Sequence, residues 1–265
     1  MKRKIHDFPC VLTSFAYRQE YWPELDGMLN TVRHHHPDWT IIVGRGPCED
    51  ATFEVEHTTG REKVILPVDL NLDGSANDYR KITHVKAWWT SYVWNQWTGD
   101  GIRRLLWLDA DARLNGSLDF EVDQDAEVLA GVWWSSNKKD FPELDNYETI
   151  TSGLLFFQGQ GSGPASRVLD LWREASLAEI CCLRPPTVRW LDGDQETLTE
   201  VLLDYMRYGS SLQLLRLEGG RYSGDVRHDG TRQPGALVDQ WMMSRRMKYP
   251  ETRNINWPPP EAFRR

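Results

Sequence analysis

An α/β fold, a sheet flanked by helices, is what this sequence predicts, and two observations predict it. Strand-like and helix-like segments alternate along the chain, which is the order of a layered sheet and not of a bundle or sandwich. One strand-like segment, Arg104 to Leu108 (RLLWL), runs straight into an acidic pair. Open α/β sheets present their ligand-binding groups at the carboxyl ends of strands.

The elements follow in order. Phe8 to Phe15 (FPCVLTSF) predicts a first buried strand and Tyr21 to His35 a helix. Trp39 to Val43 (WTIIV) predicts a short strand ending at Gly44-Arg45-Gly46-Pro47, and Val64 to Val68 a third. Ile82, Val85, Trp89, Val93 and Trp97 recur at a spacing of three to four, so a helix is predicted over Lys81 to Trp97. After Arg104 to Leu108, strands are predicted at Glu127 to Trp134 (EVLAGVWW) and Gly153 to Phe157 (GLLFF), with a polar loop from Ser135 to Glu148 between them. Helical spacing returns over Ser166 to Ala178 and Gln195 to Tyr205, and Leu212 to Leu217 predicts a late strand. From Asn254 the tail is irregular, because Pro258-Pro259-Pro260 cannot continue a helix. With no repeat, linker or low-complexity stretch, a single domain over residues 1–265 is expected.

Composition narrows the function. At 40% hydrophobic residues the 265-residue chain has ample material for a core. No apolar run approaches the ~20 residues that span a bilayer. The basic start Met-Lys-Arg-Lys is interrupted by His6, Asp7 and Pro9 before a signal-peptide core can form, so a cytoplasmic protein is expected. Cys10, Cys48, Cys181 and Cys182 lack the spaced pairs of a zinc site and read as reduced thiols. A net charge of −8 counts against a nucleic-acid backbone as ligand. It suits a small anionic substrate only where a cation intervenes. Thirteen tryptophans, several in pairs such as Trp88-Trp89 and Trp133-Trp134, fit either stacking on sugar faces or a tryptophan-rich core.

The informative stretch is Leu108-Asp109-Ala110-Asp111-Ala112. In an extended chain, side chains two apart point the same way, so Asp109 and Asp111 are expected to face one site. Two close carboxylates repel unless a positive charge sits between them. Oxygen ligands of this kind suit Mg²⁺ or Mn²⁺, either of which also bridges to diphosphate oxygens.

At this point the chain resembles a family. Leu105 to Leu114 (LLWLDADARL) is similar to the DxD motif of GT-A glycosyltransferases, the nucleotide-diphospho-sugar transferases. The resemblance implies a single GT-A-like domain whose mixed, mostly parallel central sheet is flanked by helices. A Rossmann-like nucleotide-sugar-binding half would span residues 8–115, an acceptor half 116–250, and an irregular tail 251–265. It implies that Asp111 ligates Mn²⁺ or Mg²⁺, and that Asp109 binds the metal or the nucleotide ribose.

Four further pieces fit the same resemblance. Thr13 and Ser14 stand where the family's first strand meets the nucleotide base, although capping is an equal use for them. Lys86, on the helix before the motif, lies among apolar neighbours where its charge needs a partner; a diphosphate or a salt bridge would supply one. Thr151-Ser152-Gly153 is similar to the family's segment beside the sugar donor, with Gly153 allowing close backbone approach. Leu191-Asp192-Gly193-Asp194-Gln195-Glu196 is similar to its acidic-Gln segment, which puts Asp194 or Gln195 at the reacting centre. Asp194 also fits a helix N-cap.

The last piece, His228-Asp229-Gly230-Thr231-Arg232-Gln233-Pro234, resembles the C-terminal element of the retaining, glycogenin-like group. It implies His228 as a third metal ligand and Arg232 on phosphate, but its glycine comes one place early and Arg232 stands in a shifted lysine position.

The expected activity is transfer of a sugar from a nucleotide-diphosphate, UDP being the family's commonest, to a hydroxyl acceptor. Retention is favoured by the His228 element, while an inverting enzyme would use Asp194 as base. The acceptor is open: a glycan, a protein, a small molecule or a modified DNA base. A metal-dependent nucleotidyltransferase would share the acidic pair, but Gly44-Arg45-Gly46-Pro47 is too short for its phosphate loop. A non-catalytic carbohydrate-binding protein would use the tryptophans and not need Asp109, Asp111 and His228 together.

Overall fold

Apolar runs become strands and three-to-four spacings become helices over the residues that the computed structural model describes: 1–17, 19–46, 52–57, 60–72, 77–135, 148–182, 193–225 and 232–240. The first part comprises β1 (Lys2–Lys4), β2 (Val11–Tyr17), α1 (Trp22–His35), β3 (Thr40–Gly46), β4 (Thr52–His57) and β5 (Gly60–Ile65). The middle comprises α2 (Asn77–Trp97), β6 (Ile102–Leu108), β7 (Ala112–Leu114), β8 (Glu121–Asp123), β9 (Val128–Ser135) and β10 (Glu148–Gln160). The last part comprises α3 (Pro164–Cys181), α4 (Asp194–Arg207), β11 (Gln213–Leu217), α5 (Gly219–Tyr222), β12 (Gly224–Asp225) and β13 (Val238–Gln240).

Eight strands form the central sheet in the order β11-β9-β10-β6-β2-β3-β4-β5. Six run in one direction, and β4 and β10 run against them. The sheet is therefore mixed and mostly parallel, as expected. It joins strands from both sides of residue 115, through the antiparallel ladder of β6 with β10. Two small sheets, β1-β8 and β12-β13-β7, complete the described strands.

Alternation of side chains along the strands divides the core. One face carries Leu105, Trp107, Leu129, Leu155 and Phe157 against Val85, Trp89, Trp172 and Leu198 of α2, α3 and α4. The other carries Leu12, Leu106, Leu108 and Phe156 against Leu25, Met28 and Val32 of α1 and Val238 of β13. Trp89, Trp94, Trp107 and Trp172 are fully buried, so these rings build the core, whereas Trp134 is 37% exposed.

The sheet departs from expectation at its charged edge. Of the predicted strand over Val64 to Val68, only Val64 and Ile65 belong to a strand, the end of β5, which forms an antiparallel hairpin with the unpredicted β4. Glu54 faces Lys63 and Glu56 faces Arg61 across that hairpin. Opposite charges at facing positions stabilise the pair, and a charged edge strand discourages edge-to-edge association. Gly44 and Gly46 end β3; a Cβ at Gly44 would collide with the Trp89 ring. Packing accounts for that glycine; Gly44 to Gly46 belong to the strand, and Pro47 lies outside the described residues. The polar loop over residues 136–147 and the expected tail lie outside the described residues.

Candidate functional site

Beyond Leu108 the chain stops being extended. Ala112 N donates to Asp109 O at 2.9 Å, which closes a four-residue turn over Asp109 to Ala112. Strand alternation, which would set both side chains on one face, therefore ends at Leu108: a turn, not a strand, carries the pair at the carboxyl end of β6. Both residues are half-buried.

Asp109 is held from beneath. Its Oδ1 accepts from Trp107 Nε1 at 2.9 Å and lies 2.9 Å from Lys86 Nζ. Its backbone N–H donates to Gly153 O at 2.9 Å, which ties the turn to β10. Oδ2 has no such partner among the described residues. Asp111 acts on the buried guanidinium of Arg113, as does Glu24 of α1. Burial lowers the Arg113 pKa to about 10 even with these two carboxylates raising it.

Lys86 is the hub. It projects from α2 and its side chain is 8% exposed. Nζ lies 3.1 Å from Asp194 Oδ2 as well as beside Asp109. It also donates to Ser152 O at 3.1 Å and Ser152 Oγ at 2.9 Å. Burial works to lower its pKa, but the carboxylates of Asp109 and Asp194 outweigh burial and leave it raised. An isolated buried ammonium would be costly; two carboxylates and two oxygen acceptors make this one stable. The salt bridge expected as one partner for Lys86 is formed, and on the Lys86 side it is buried.

Asp194 differs from expectation in its local role. Gly193 is the N-cap of α4 and Asp194 the first helical residue. Glu196 Oε2 accepts from Gly193 N at 2.9 Å, and Thr197 Oγ1 donates to Gly193 O. The capping interactions thus belong to its neighbours, which frees Asp194 to turn inward to Lys86. Trp172 Nε1 fixes its backbone by donating to Asp194 O at 2.9 Å. Gln195 donates to Glu196 Oε1 at 2.9 Å, so its amide is tied to the helix start. Burial raises the Glu196 pKa, the hydrogen bond from Gln195 opposing.

Thr13, Gly153 and Arg232, expected at the donor, make contacts within the protein. Thr13 is fully buried, donating to Ile42 O and accepting from Trp89 Nε1, both at 2.8 Å. It holds α2 to the sheet. Ser14 is equally buried, on the opposite face. Gly153 does allow close approach, but of Gln240, whose side chain a Cβ there would meet. Arg232 Nε lies 3.4 Å from Asp239 Oδ2, and Nη1 donates to Asn115 Oδ1 at 3.4 Å. Asp239 is fully buried, and burial raises its pKa against Asn115 and Arg232. His228 lies outside the described residues. Among the described residues no three His, Cys, Asp or Glu side chains gather as a metal site.

Ser152, Trp107 and Arg113 were not singled out by sequence reasoning. Only Arg113 left a signal, a charge in the middle of the otherwise apolar run Ala112 to Leu114.

The chain shares its fold with solved glycosyltransferases. A glycosyltransferase involved in glycosylating the major capsid of PBCV-1 superposes with a TM-score of 0.51 at 12% identity, covering 92% of this chain and 100% of that one. LgtC, a galactosyltransferase crystallised with donor and acceptor sugar analogues, gives 0.45 at 13% identity over 96% and 94% of the two chains. GlyE of Streptococcus pneumoniae TIGR4 gives 0.43 at 10% identity over 88% of this chain and 54% of its own. No family model and no curated protein sequence matches. Among the described residues no helix is long and apolar enough to cross a membrane.

Proposed function

We propose that this chain is a metal-dependent glycosyltransferase that moves a sugar from a nucleotide-diphosphate donor, UDP by preference, to a hydroxyl acceptor. The observation that carries the reading is the buried triad of Lys86 with Asp109 and Asp194. It stands at the strand end where this kind of fold receives ligands. Ionic groups at such depth, converging from α2, the β6 turn and the α4 start, mark a functional site more than a structural one.

The donor set suits Mn²⁺ or Mg²⁺. Asp109 keeps Oδ2 open, Asp111 is half-exposed one residue away, and both are hard oxygen ligands. These two would hold the cation, with His228 as the candidate third ligand. When bound, the cation supplies positive charge to the departing diphosphate. Lys86 orients Asp109 through Oδ1 and leaves the other oxygen for the ion. Arg232 is close enough to the β7-β13 layer to assist at phosphate by exchanging Asp239 for it.

Asp194 is engaged by Lys86 and serves better as an anchor for the sugar than as a proton acceptor. That supports retention over inversion, where a free carboxylate base is required. Gln195 lies beside it at the same helix start. The acceptor belongs to one of four classes: glycan, protein, small molecule or modified DNA base. A cytoplasmic setting is part of the reading, with Cys10, Cys181 and Cys182 present as free thiols.

The test is release of nucleotide from a panel of nucleotide-sugars, with and without Mn²⁺, alongside titration of UDP. Metal-dependent hydrolysis of one donor, about 100-fold slower in Asp111→Asn, is expected. Nucleotide binding indifferent to metal and to Asp111→Asn would overturn the assignment in favour of a carbohydrate-binding protein.

A further inference from the structure

The acidic turn rests on a second buried cation. Arg113 of β7 is 6% exposed, in a three-residue strand buried throughout. Its Nη1 donates to Ala110 O at 3.3 Å and to Ala112 O at 2.5 Å. These two carbonyls flank Asp111 in the chain. The charges acting on the guanidinium are the carboxylates of Asp111 and of Glu24, with Arg232 opposing. The group lies against α1 at Gly27, where a Cβ would run into it.

We propose that Arg113 is the positioning residue of the cation site: it fixes the backbone on both sides of Asp111 and offsets that carboxylate's charge before a metal arrives. This rests on the function proposed above and deepens it. Two carboxylates one residue apart repel, and an unsupported turn would relax by separating them. Lys86 restrains only Asp109. A guanidinium offers several donors in a rigid plane, so it can hold two carbonyls and still face a carboxylate, which an ammonium on a flexible stem does less well. Gly27 is the counterpart on the helix, because only a residue without Cβ leaves room for the guanidinium. Supporting groups behind metal ligands typically change metal affinity by about 10–100-fold when removed.

Two variants test this in the full-length protein. Arg113→Lys keeps the charge and loses the planar fork. Gly27→Ala keeps every charged and polar side chain of the site chemically intact but pushes the guanidinium aside; the displaced atoms are the far end of a flexible side chain, so the fold tolerates it, and alanine favours the helix. Free Mn²⁺ is measured by electron paramagnetic resonance during titration with UDP present, and thermal stability is followed in parallel. Binding about tenfold weaker in both variants, with Gly27→Ala melting no lower than wild type, is the expected result. A purely structural arginine predicts changed melting and unchanged Mn²⁺ affinity, and folded variants that bind as wild type overturn the proposal. Should Arg113→Lys fail to fold, Gly27→Ala decides alone. Wild type that takes up no Mn²⁺ with UDP sinks the proposed function itself, whereas wild-type binding with indifferent variants sinks only the role of Arg113.

Discussion

The two sides of the acidic turn are supported by different devices. On the face covered by α2, α3 and α4, Lys86 grips side chains, pairing directly with Asp109 and Asp194. On the face covered by α1 and the β12-β13-β7 sheet, Arg113 grips backbone, donating to Ala110 O and Ala112 O. A point charge on a long stem can serve two carboxylates from different elements. A planar fork can hold a turn in shape. The difference teaches that the pair's geometry is assembled from both layers at once, and each layer can be broken separately.

The largest effect is expected from Lys86→Met. It leaves Asp194 buried without its cation and should cost about 3–5 kcal/mol in urea unfolding; a loss under 1 kcal/mol would show that the triad is not what joins α2, α4 and the turn. Acid should strike the other side first. His36 accepts from Leu118 N through Nε2 at 3.1 Å, and His6 Nδ1 reaches Leu118 O at 2.9 Å, so the segment after β7 is clamped at one residue. Burial, then His35 and His6, lowers the His36 pKa to about 4. The unfolded chain therefore binds a proton that the folded chain refuses. Stability is fully present above pH 6.5 and falls as pH drops toward 4, by roughly 3 kcal/mol. Unfolding measured at pH 7 and pH 4.5 should show this slope in wild type and lose most of it in His36→Gln.

Asp111→Asn sharpens the comparison at the site. Loss of about 100-fold in metal-dependent donor hydrolysis, about 2.7 kcal/mol in the barrier, is expected with melting little changed. An equal loss of stability would move Asp111 from ligand to scaffold. The smallest effect belongs to Trp89→Phe, which removes the bond to Thr13 Oγ1. It should cost about 1 kcal/mol and leave nucleotide affinity intact, as befits a threonine that holds α2 and not a base.

Much of the fold was legible because local pattern dictates it. The β6 run, the three-to-four spacing over α2 and the apolar blocks of β9 and β10 appear where expected, within a few residues. The β4-β5 hairpin was missed because its charged alternation resembles a loop until the facing strand is known. Strands β7 and β13 are three residues each; too short for a period, they exist through pairing with one another. At the site, Asp109 and Lys86 were legible as charges beside apolar runs, and Asp194 through the resemblance of its acidic-Gln segment. Their contacts were not: only the fold brings Asp194 and Ser152 to Lys86, and Trp89 to Thr13.

By itself the sequence determined that a strand through the core would deliver two carboxylates to its carboxyl end, because apolar periodicity and chain direction are local properties. Only the tertiary structure decided that a turn carries them, that Lys86 ties one to α4, and that Arg113 sits beneath the other over Gly27. Apart from the short bond that closes the turn, those decisions depend on which groups the fold brings together from separate elements, and the energy of a buried charge is set by the partners it finds there.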